Sequence, residues 1–225
     1  MIRFDDVSKK YPSNVIALDD FSCTIDKGEF VFLVGPSGAG KSTVLRLLIH
    51  DLMPTKGSIF FHDWELNTLP SNKVPYLRRK IGFVFQDFKL LQDRTVFENI
   101  SVALEILGKS KEEIQERIKE ILDTVHLEKK ALYFPRQLSL GEQQRVAVGR
   151  AIAGDIEVLL ADEPTGNLDP KTSWEILKII NEINKKEITI IMATHNVDIV
   201  NSLKKRVIAL SYGKKTRDEK KSKYS

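Results

Sequence analysis

The chain has 225 residues, 42% hydrophobic and 29% charged, which is typical of one folded domain and too apolar for a disordered protein. Its single cysteine, Cys23, excludes an internal disulfide, and the longest apolar run (residues 30–35) is far shorter than the ~20 residues of a membrane span. The N-terminus lacks the apolar stretch of a secretory signal, so we expect a soluble intracellular protein.

The formal net charge of +4 comes from the C-terminal segment 213–225. That segment holds six basic and two acidic residues, which leaves 29 of each sign in residues 1–212. A nucleic-acid-binding domain usually carries its positive charge on the folded body, so no direct nucleic-acid partner is expected. The composition of residues 213–225 predicts a disordered tail, either a solvated end or a weak contact with anionic lipid.

The first predicted elements are strands. Residues 2–21 alternate apolar and polar side chains around the turn signal Tyr11-Pro12-Ser13-Asn14, which predicts a half-exposed antiparallel sheet. Later runs are continuously apolar and β-prone, as in strands buried on both faces of a mostly parallel sheet. These runs occupy residues 30–34, 158–161, 188–193 and 207–210.

Helical patterns separate the apolar runs, at residues 41–51, 170–184 and 197–204. The alternation of strands and helices predicts an α/β fold with a mostly parallel sheet core. Between Val96 and Ala153 the periodicity is helical, and residues 111–125 place their isoleucines and leucine on one face. We therefore predict one domain over residues 1–212, with an α-helical subdomain inserted at about residues 87–155.

A glycine-rich loop follows the first buried strand and precedes a predicted helix. It matches the pattern G-x-x-x-x-G-K-[ST], in which glycines let backbone N–H groups wrap phosphates and the helix N-terminus adds its positive dipole. The lysine would contact the β- and γ-phosphates of a nucleotide, and the serine hydroxyl would ligate Mg²⁺. The predicted binding residues are Gly35, Pro36, Ser37, Gly38, Ala39, Gly40, Lys41, Ser42 and Thr43.

Two acidic residues end the buried run at 158–161. A carboxylate at Asp162 is costly at a buried strand end unless it contacts a cation, and Mg²⁺ held through Ser42 and water would supply one. Glu163 can point toward a water aligned on the γ-phosphate and act as a general base. The alternative is that this acidic pair only caps a following helix.

The run Leu138-Ser139-Leu140-Gly141-Glu142 begins another predicted helix. Ser139 and Glu142 stand at capping-box spacing, which is sufficient as a purely structural explanation. The functional alternative is a second phosphate-binding helix end. Because the chain already contains one phosphate loop, this second end would serve a neighbouring chain.

Together with Gln86 and His195, these motifs resemble the nucleotide-binding domain of an ABC-type ATPase over residues 1 to about 212. The resemblance implies a P-loop NTPase (RecA-like) core, with Tyr11 stacking on adenine. The alternative for Tyr11 is a turn tyrosine packed on the first sheet. Ser139 and Gly141 would cap the γ-phosphate of ATP bound to a second copy, and residues 167–169 would form the loop that crosses between copies.

The resemblance also implies the chemistry: Mg²⁺-dependent ATP hydrolysis, with Glu163, His195 and Lys41 as catalytic residues and His195 on the γ-phosphate. ATP would hold two chains together as a homodimer. The family signature has glycine where this chain has Leu140, and a leucine there would be strained if the position needed a positive φ. The implied magnesium ligands are Ser42, Gln86 and Asp162.

Residues 86–100 resemble the cell-division branch of this family, whereas residues 163–169 fit a broader group that includes lipoprotein-release and export ATPases. The resemblance implies an integral membrane partner on a separate chain and a peripheral place at the cytoplasmic side of the inner membrane. For the cell-division branch, the resemblance implies that the ATPase and its membrane partner together regulate cell-wall hydrolysis. Lipoprotein release or export, and a soluble ATPase acting on nucleic acid, are the alternatives.

The partner's docking surface is expected between the sheet core and the helical insertion, near residues 88–97. Phe88, Leu90 and Leu91 are apolar in a segment that otherwise reads as exposed. The alternative is that these side chains pack onto the insertion.

Overall fold

Two sheets organise the chain, of which this computed structural model describes residues 1–220 and Tyr224. The first sheet has the order β2-β1-β4-β5 and is antiparallel throughout. The turn between its first two strands places Asn14 at φ 64°, a left-handed conformation that asparagine tolerates. The strands are β1 (Ile2–Lys10), β2 (Ile16–Ile25), β4 (Lys56–Phe61) and β5 (Trp64–Glu65).

The second sheet has the order β10-β9-β3-β8-β7-β6, and only its β9–β10 pair is antiparallel. Every residue of β3 and β8 is buried, as the continuous apolar runs predict. Its strands are β3 (Phe30–Val34), β6 (Ile81–Val84), β7 (Val158–Asp162), β8 (Thr189–Ala193), β9 (Arg206–Ser211) and β10 (Lys214–Glu219).

Alternate residues of β3 belong to two hydrophobic cores. Phe30, Phe32 and Val34 join the core that contains the helical insertion, whereas Val31 and Leu33 join the core built on the antiparallel sheet. This alternation follows from the two-residue period of a strand. The sheet that carries the glycine-rich loop is therefore packed on both faces.

Three helices occupy the region in which helical periodicity predominates: α3 (Val96–Ile106), α4 (Lys111–Thr124) and α5 (Leu140–Ala151). Each begins with a complete capping box, formed by Thr95 with Glu98, Ser110 with Glu113, and Ser139 with Glu142. The remaining helices are α1 (Lys41–Leu48), α2 (Val74–Arg79), α6 (Pro170–Lys185) and α7 (Val197–Leu203). Within residues 1–220 and 224, none of these helices has the length and apolar character that a membrane crossing requires.

The predicted disorder of the tail is wrong for Lys214–Glu219, which forms β10 along the edge of the core sheet. The strand pairs with β9, and Arg206 binds both carboxylate oxygens of Asp218 at 2.8 and 2.9 Å. Arg206 also donates to Glu29 at 2.8 Å, so one guanidinium links three segments. Composition alone misses this strand because pairing and ion contacts, rather than an apolar pattern, hold it. Within the remainder of the predicted tail, residues 221–223 and 225 lie outside the described part.

Candidate active site

The glycine-rich loop connects β3 to α1 and has the backbone that the motif predicts. Gly35 has φ 141°, and a Cβ there would lie 2.1 Å from the carbonyl oxygen of Leu210. Gly40 has φ 105° at the N-cap of α1, and a Cβ there would lie 2.3 Å from the carbonyl oxygen of Ala17. Only glycine fits both positions, so the cradle is specified by close backbone approach as well as by φ.

Lys41 is the first residue of α1, and its side chain is only 7% exposed. Its Nζ donates to the carbonyl oxygens of Gly35 and Pro36 at 2.9 and 3.1 Å. The same nitrogen lies 3.8 Å from Oε1 of Glu163. The ammonium group is thus held over the loop, where the phosphates of a nucleotide would lie.

Asp162 ends β7 beside the start of α1, and the Ser42 hydroxyl donates to its Oδ1 at 2.9 Å. Burial raises the pKa of Asp162, an effect that the Ser42 hydrogen bond opposes in part. A divalent cation would relieve this burial cost, and a hydroxyl beside a carboxylate is a donor set that suits Mg²⁺. No cluster of three or more His, Cys, Asp or Glu side chains suited to a metal occurs in the described ranges. A cation held here therefore takes further ligands from phosphate and water.

Glu163 has φ 48°, an uncommon value for a residue with a side chain. Its N–H donates to the carbonyl of Ala193 at the end of β8, and its own carbonyl accepts from Gly166, at 3.0 and 3.1 Å. Its carboxylate is 13% exposed, and Oε2 lies 2.8 Å from Nδ1 of His195. Strained backbone at a functional side chain persists where the surroundings fix it, as these bonds do here.

Lys41, Ser42, Glu163 and His195 line one cleft of 580 Å³, and Asp162 lies outside its lining but is hydrogen-bonded to Ser42. Tyr11 stands at its wall, with its hydroxyl 3.4 Å from Oγ1 of Thr43, and the exposed Val15 lies on the same wall. Val15 and Ala17 are lining residues that the sequence analysis did not identify, because nothing in their spacing marks them. The lining is Tyr11, Val15, Ala17, Ser37, Gly38, Ala39, Gly40, Lys41, Ser42, Thr43, Gln86, Glu163 and His195.

Gln86 comes two residues after β6 and faces the cleft with an exposed side chain. Its carbonyl accepts from Nδ2 of Asn167 at 3.5 Å, so the segment after β6 contacts the segment after β7. The predicted phosphate loop, acidic pair, glutamine and histidine are therefore brought together from four separate parts of the chain.

Ser139 and Gly141 do not line this cleft. Ser139 caps α5 by accepting from the N–H of Glu142 at 3.3 Å, so the capping interpretation holds locally. Gly141 has a steric role too, because a Cβ there would lie 2.2 Å from Cγ2 of Thr172 on α6. Leu140 is 53% exposed and is not among the described residues with positive φ, so the strain considered for a leucine there is absent.

The packing alternative holds for part of the segment after Gln86. Leu90 is 8% exposed within the core that contains the insertion, and Phe88 packs against that core. Leu91 is 41% exposed. Of the three apolar side chains proposed for docking, Leu91 alone keeps a large accessible surface.

Comparison with known proteins agrees with this geometry. The family model described as "ABC transporter" matches residues 18–166. The chain is 52% identical over 224 residues to the "Cell division ATP-binding protein FtsE" of Bacillus subtilis (strain 168), covering 100% of this chain and 98% of that protein. The protein of the same name from Mycobacterium tuberculosis is 50% identical over 225 residues, with 100% and 98% covered.

A solved structure described as the dimeric post-hydrolysis state of the ATP-binding cassette MJ0796, bound to ADP and Pi, has the same fold. It aligns with a TM-score of 0.90 and 36% identity, covering 99% of each chain. A second dimeric structure of the same cassette aligns with a TM-score of 0.90 and 37% identity.

Proposed function

The chain is an ATPase of the ABC transporter family, and from that premise we propose that it is the Mg²⁺-dependent ATP-hydrolysing subunit of a cell-division complex. In this complex it dimerises on ATP and drives a separate, FtsX-like membrane protein that regulates cell-wall hydrolysis. The relatives named for cell division support the assignment, because they match essentially the whole chain at about half identity. The proposed location is peripheral, at the cytoplasmic side of the inner membrane.

The observation that carries the ATPase chemistry is the position of Glu163 between Lys41 and His195 inside the phosphate cleft. Its carboxylate can accept a proton from a water attacking the γ-phosphate, while the Lys41 ammonium offsets charge on the phosphates. His195 holds the carboxylate in place through Nδ1. Ser42, Asp162 and Gln86 would hold Mg²⁺, which when bound neutralises charge on the phosphate oxygens.

Two predicted nucleotide-binding residues that do not line the cleft, Ser139 and Gly141, support dimerisation. Ser139 and Gly141 begin α5 away from the chain's own phosphate loop, so a second copy is needed to bring them to a nucleotide. ATP then supplies contacts present only in the closed dimer, and hydrolysis removes them. A ligand shifts a two-state equilibrium only through such differential contacts.

The docking surface for the membrane partner is proposed at a groove of 630 Å³ between the core sheet and the helical insertion, hereafter the β6–α3 groove. Phe83 of β6 and Phe85 just after that strand line the groove, as do Ile106 and Leu107 at the end of α3. Ile106 is 67% exposed, which is a large accessible area for an apolar side chain. The sequence predicted a docking surface near residues 88–97. Of that segment, Lys89 lines the groove, whereas Phe88, Leu90 and Leu91 do not.

The test is affinity capture from detergent-solubilised native membranes with the Glu163→Gln variant, which should retain ATP in the closed dimer. We expect ATP-dependent recovery of one small membrane protein of the FtsX kind, identified by mass spectrometry. The control is the same variant loaded with ADP. Recovery of a larger permease or a lipoprotein-release complex would overturn the cell-division assignment.

A further inference from the structure

The turn between β9 and β10 lies against the segments that build the nucleotide cleft. Gly213, in this turn, donates its N–H to the carbonyl of Ala39 in the glycine-rich loop at 3.2 Å. Its own carbonyl accepts from the N–H of Asp19 on β2 at 3.0 Å. One residue of the C-terminal hairpin is therefore hydrogen-bonded to two segments that contribute to the cleft.

These two segments have different tasks in the proposed site. The glycine-rich loop around Ala39 would hold the phosphates of ATP, whereas Ala17 of β2 lines the wall that includes Tyr11 and Val15 and would stack on the base. A ligand that contacts both gains from the second contact only where the distance between the two matches its own length. We propose that Gly213 is a positioning residue that sets this distance. This inference rests on the proposed function, in which ATP occupies the cleft.

Only glycine fits position 213 without displacing its neighbours. Its φ is 80°, and a Cβ there would lie 3.0 Å from the carbonyl oxygen of Ala17 and 3.1 Å from Cα of Leu18. The same carbonyl of Ala17 approaches Gly40 of the phosphate loop. Backbone therefore packs directly on backbone at both glycines, and a side chain at Gly213 must move β2 or the turn by a few tenths of an ångström.

The turn itself is strained. Tyr212 precedes Gly213 with φ 48° and is 90% exposed. Two consecutive positive φ angles are typical of two-residue hairpin turns of type I′, in which asparagine, aspartate or glycine is the usual first residue. A tyrosine in that conformation persists only where the surroundings fix the turn. The hydrogen bonds from Gly213 to the phosphate loop and to β2 supply part of that support.

Two side-chain contacts attach the rest of the hairpin to β2. Lys214 Nζ lies 3.2 Å from Oδ2 of Asp19. At the other end of β10, Arg206 binds Asp218 and also donates through NH1 to the carbonyl of Thr24 at 2.8 Å. The hairpin is thus joined to β2 at both ends and to the phosphate loop at its turn. Because Gly213 does not line the cleft, it acts on ATP only through the positions of these segments.

The test compares ATP with inorganic tripolyphosphate, which has phosphates but no base. Both are titrated calorimetrically into the full chain without Mg²⁺, so that ATP is not hydrolysed. Base–aromatic stacking should make ATP bind the unsubstituted chain about tenfold more tightly than tripolyphosphate. In Gly213→Ala this ratio should fall by about threefold, because ATP loses part of its contact with the base wall and tripolyphosphate has no such contact to lose.

Gly108→Ala is the matched control. Gly108 has φ 73° just after α3, and a Cβ there would have no atom of the described residues within 4 Å, so the variant carries similar backbone strain away from the cleft. It should leave the affinity ratio unchanged. Gly213→Asn tolerates a positive φ but still places a Cβ against Ala17, so it should lower the ratio with a smaller loss of Tm than Gly213→Ala.

Steady-state kinetics with Mg²⁺ and a double-mutant cycle show which contact is lost. Gly213→Ala should raise KM for ATP by about threefold and leave kcat little changed, because Glu163 and Lys41 keep their contacts. Tyr11→Ala removes the base-stacking side chain directly, so Gly213→Ala should not lower the affinity ratio further in that background. A purely structural role would weaken ATP and tripolyphosphate by the same factor, with or without Tyr11.

An unchanged ratio in both Gly213 variants, an equal loss for the two ligands, or an additive double variant would overturn the positioning role and leave the ATPase function standing. A ratio that Gly108→Ala lowers equally would overturn it too, since strain alone would then explain the effect. Failure of the unsubstituted chain to bind either ATP or tripolyphosphate would instead overturn the proposed function.

Discussion

Nδ1 of His195 lies 2.8 Å from Oε2 of Glu163, and this contact joins the segment after β8 to the segment after β7. The glutamate is nearly buried, whereas the histidine is 65% exposed to the cleft. The contact therefore fixes the carboxylate from the side on which a nucleotide enters. It makes His195 the residue best placed to align the proposed base.

Replacing His195 with glutamine should lower kcat for ATP hydrolysis by about 10²-fold, the low end of what a positioned acid or base contributes. KM should change less, because Lys41 and the glycine-rich loop remain in place. Steady-state kinetics provide the measurement. His126→Asn is the matched control, since His126 is exposed at φ 55° and asparagine tolerates that backbone. A kcat equal to that of the control would contradict the role.

Asp162→Asn should abolish Mg²⁺-dependent turnover yet raise the thermal stability of the nucleotide-free chain. Burial lifts the folded-state pKa of Asp162 above its ordinary value of 3.8, so the folded form binds more protons between these two values. The free energy of unfolding therefore falls as pH rises through that window, and the asparagine variant escapes this loss.

The expected gain in Tm for Asp162→Asn at neutral pH is on the order of 2 °C, and it should shrink as the pH is lowered toward the ordinary pKa. Scanning calorimetry across pH checks both statements. Asp93→Asn, at an exposed site, should show no such trend. A lower Tm for Asp162→Asn at neutral pH would mean that burial does not dominate at this carboxylate.

Gly141→Ala should destabilise the chain by about 1–3 kcal/mol through overpacking, because the new methyl group would collide with Cγ2 of Thr172. Thr172→Ser removes that methyl but keeps the hydroxyl, which bonds Asp169 at 2.5 Å. The double variant should therefore recover most of the loss in chemical denaturation. Equal stability of the single and double variants would show that α5 shifts freely and that the contact is unimportant.

Asp218→Asn should cost about 1.5–3 kcal/mol at neutral pH, the range for hydrogen bonds to charged groups. Burial alone would raise the pKa of Asp218, but the hydrogen bonds and charge of Arg206 outweigh it and lower the pKa. This stabilisation is present above the ordinary pKa of 3.8 and is lost as pH falls through the folded-state value.

Denaturation of the Asp218→Asn variant at neutral and acid pH tests this dependence. Asp19→Asn is the control. Asp19 Oδ2 lies 3.2 Å from Nζ of Lys214, which belongs to β10 as Asp218 does, but this ion pair is exposed. The free energy of unfolding of the Asp19→Asn variant should fall by less than about 1 kcal/mol. Equal costs for the two variants would mean that the Arg206 network does not hold β10.

The phosphate site could be predicted from sequence because its geometry is local. The backbone angles at Gly35 and Gly40 and the position of Lys41 follow from a short motif between a strand and a helix. Asp162 and Ser42 are distant in sequence, but Asp162 ends a strand and Ser42 lies in the first turn of a helix, and the sequence pattern predicts both elements. Parallel strand ends share one edge of a sheet, which brings such residues together.

The features that escaped prediction are all tertiary. Strand β10 depends on Arg206, and the left-handed turn at Phe88 and Lys89 depends on Arg150 from another element. Neither arginine stands out in its local sequence. The left-handed backbone of Glu163 could not be predicted from the sequence either. Backbone hydrogen bonds to Ala193 at the end of β8 and from Gly166 hold it.

In the proposed cycle, ATP closes two copies of this chain around Glu163, and hydrolysis reopens them. Light scattering of the Glu163→Gln variant tests it most directly, since loss of a general base slows turnover by about 10²–10⁴-fold. Glu187→Gln, at an exposed glutamate, is the control. We predict a dimeric mass for Glu163→Gln with Mg²⁺ and ATP and a monomeric mass with ADP. A monomer that has ATP bound would contradict ATP-driven dimerisation.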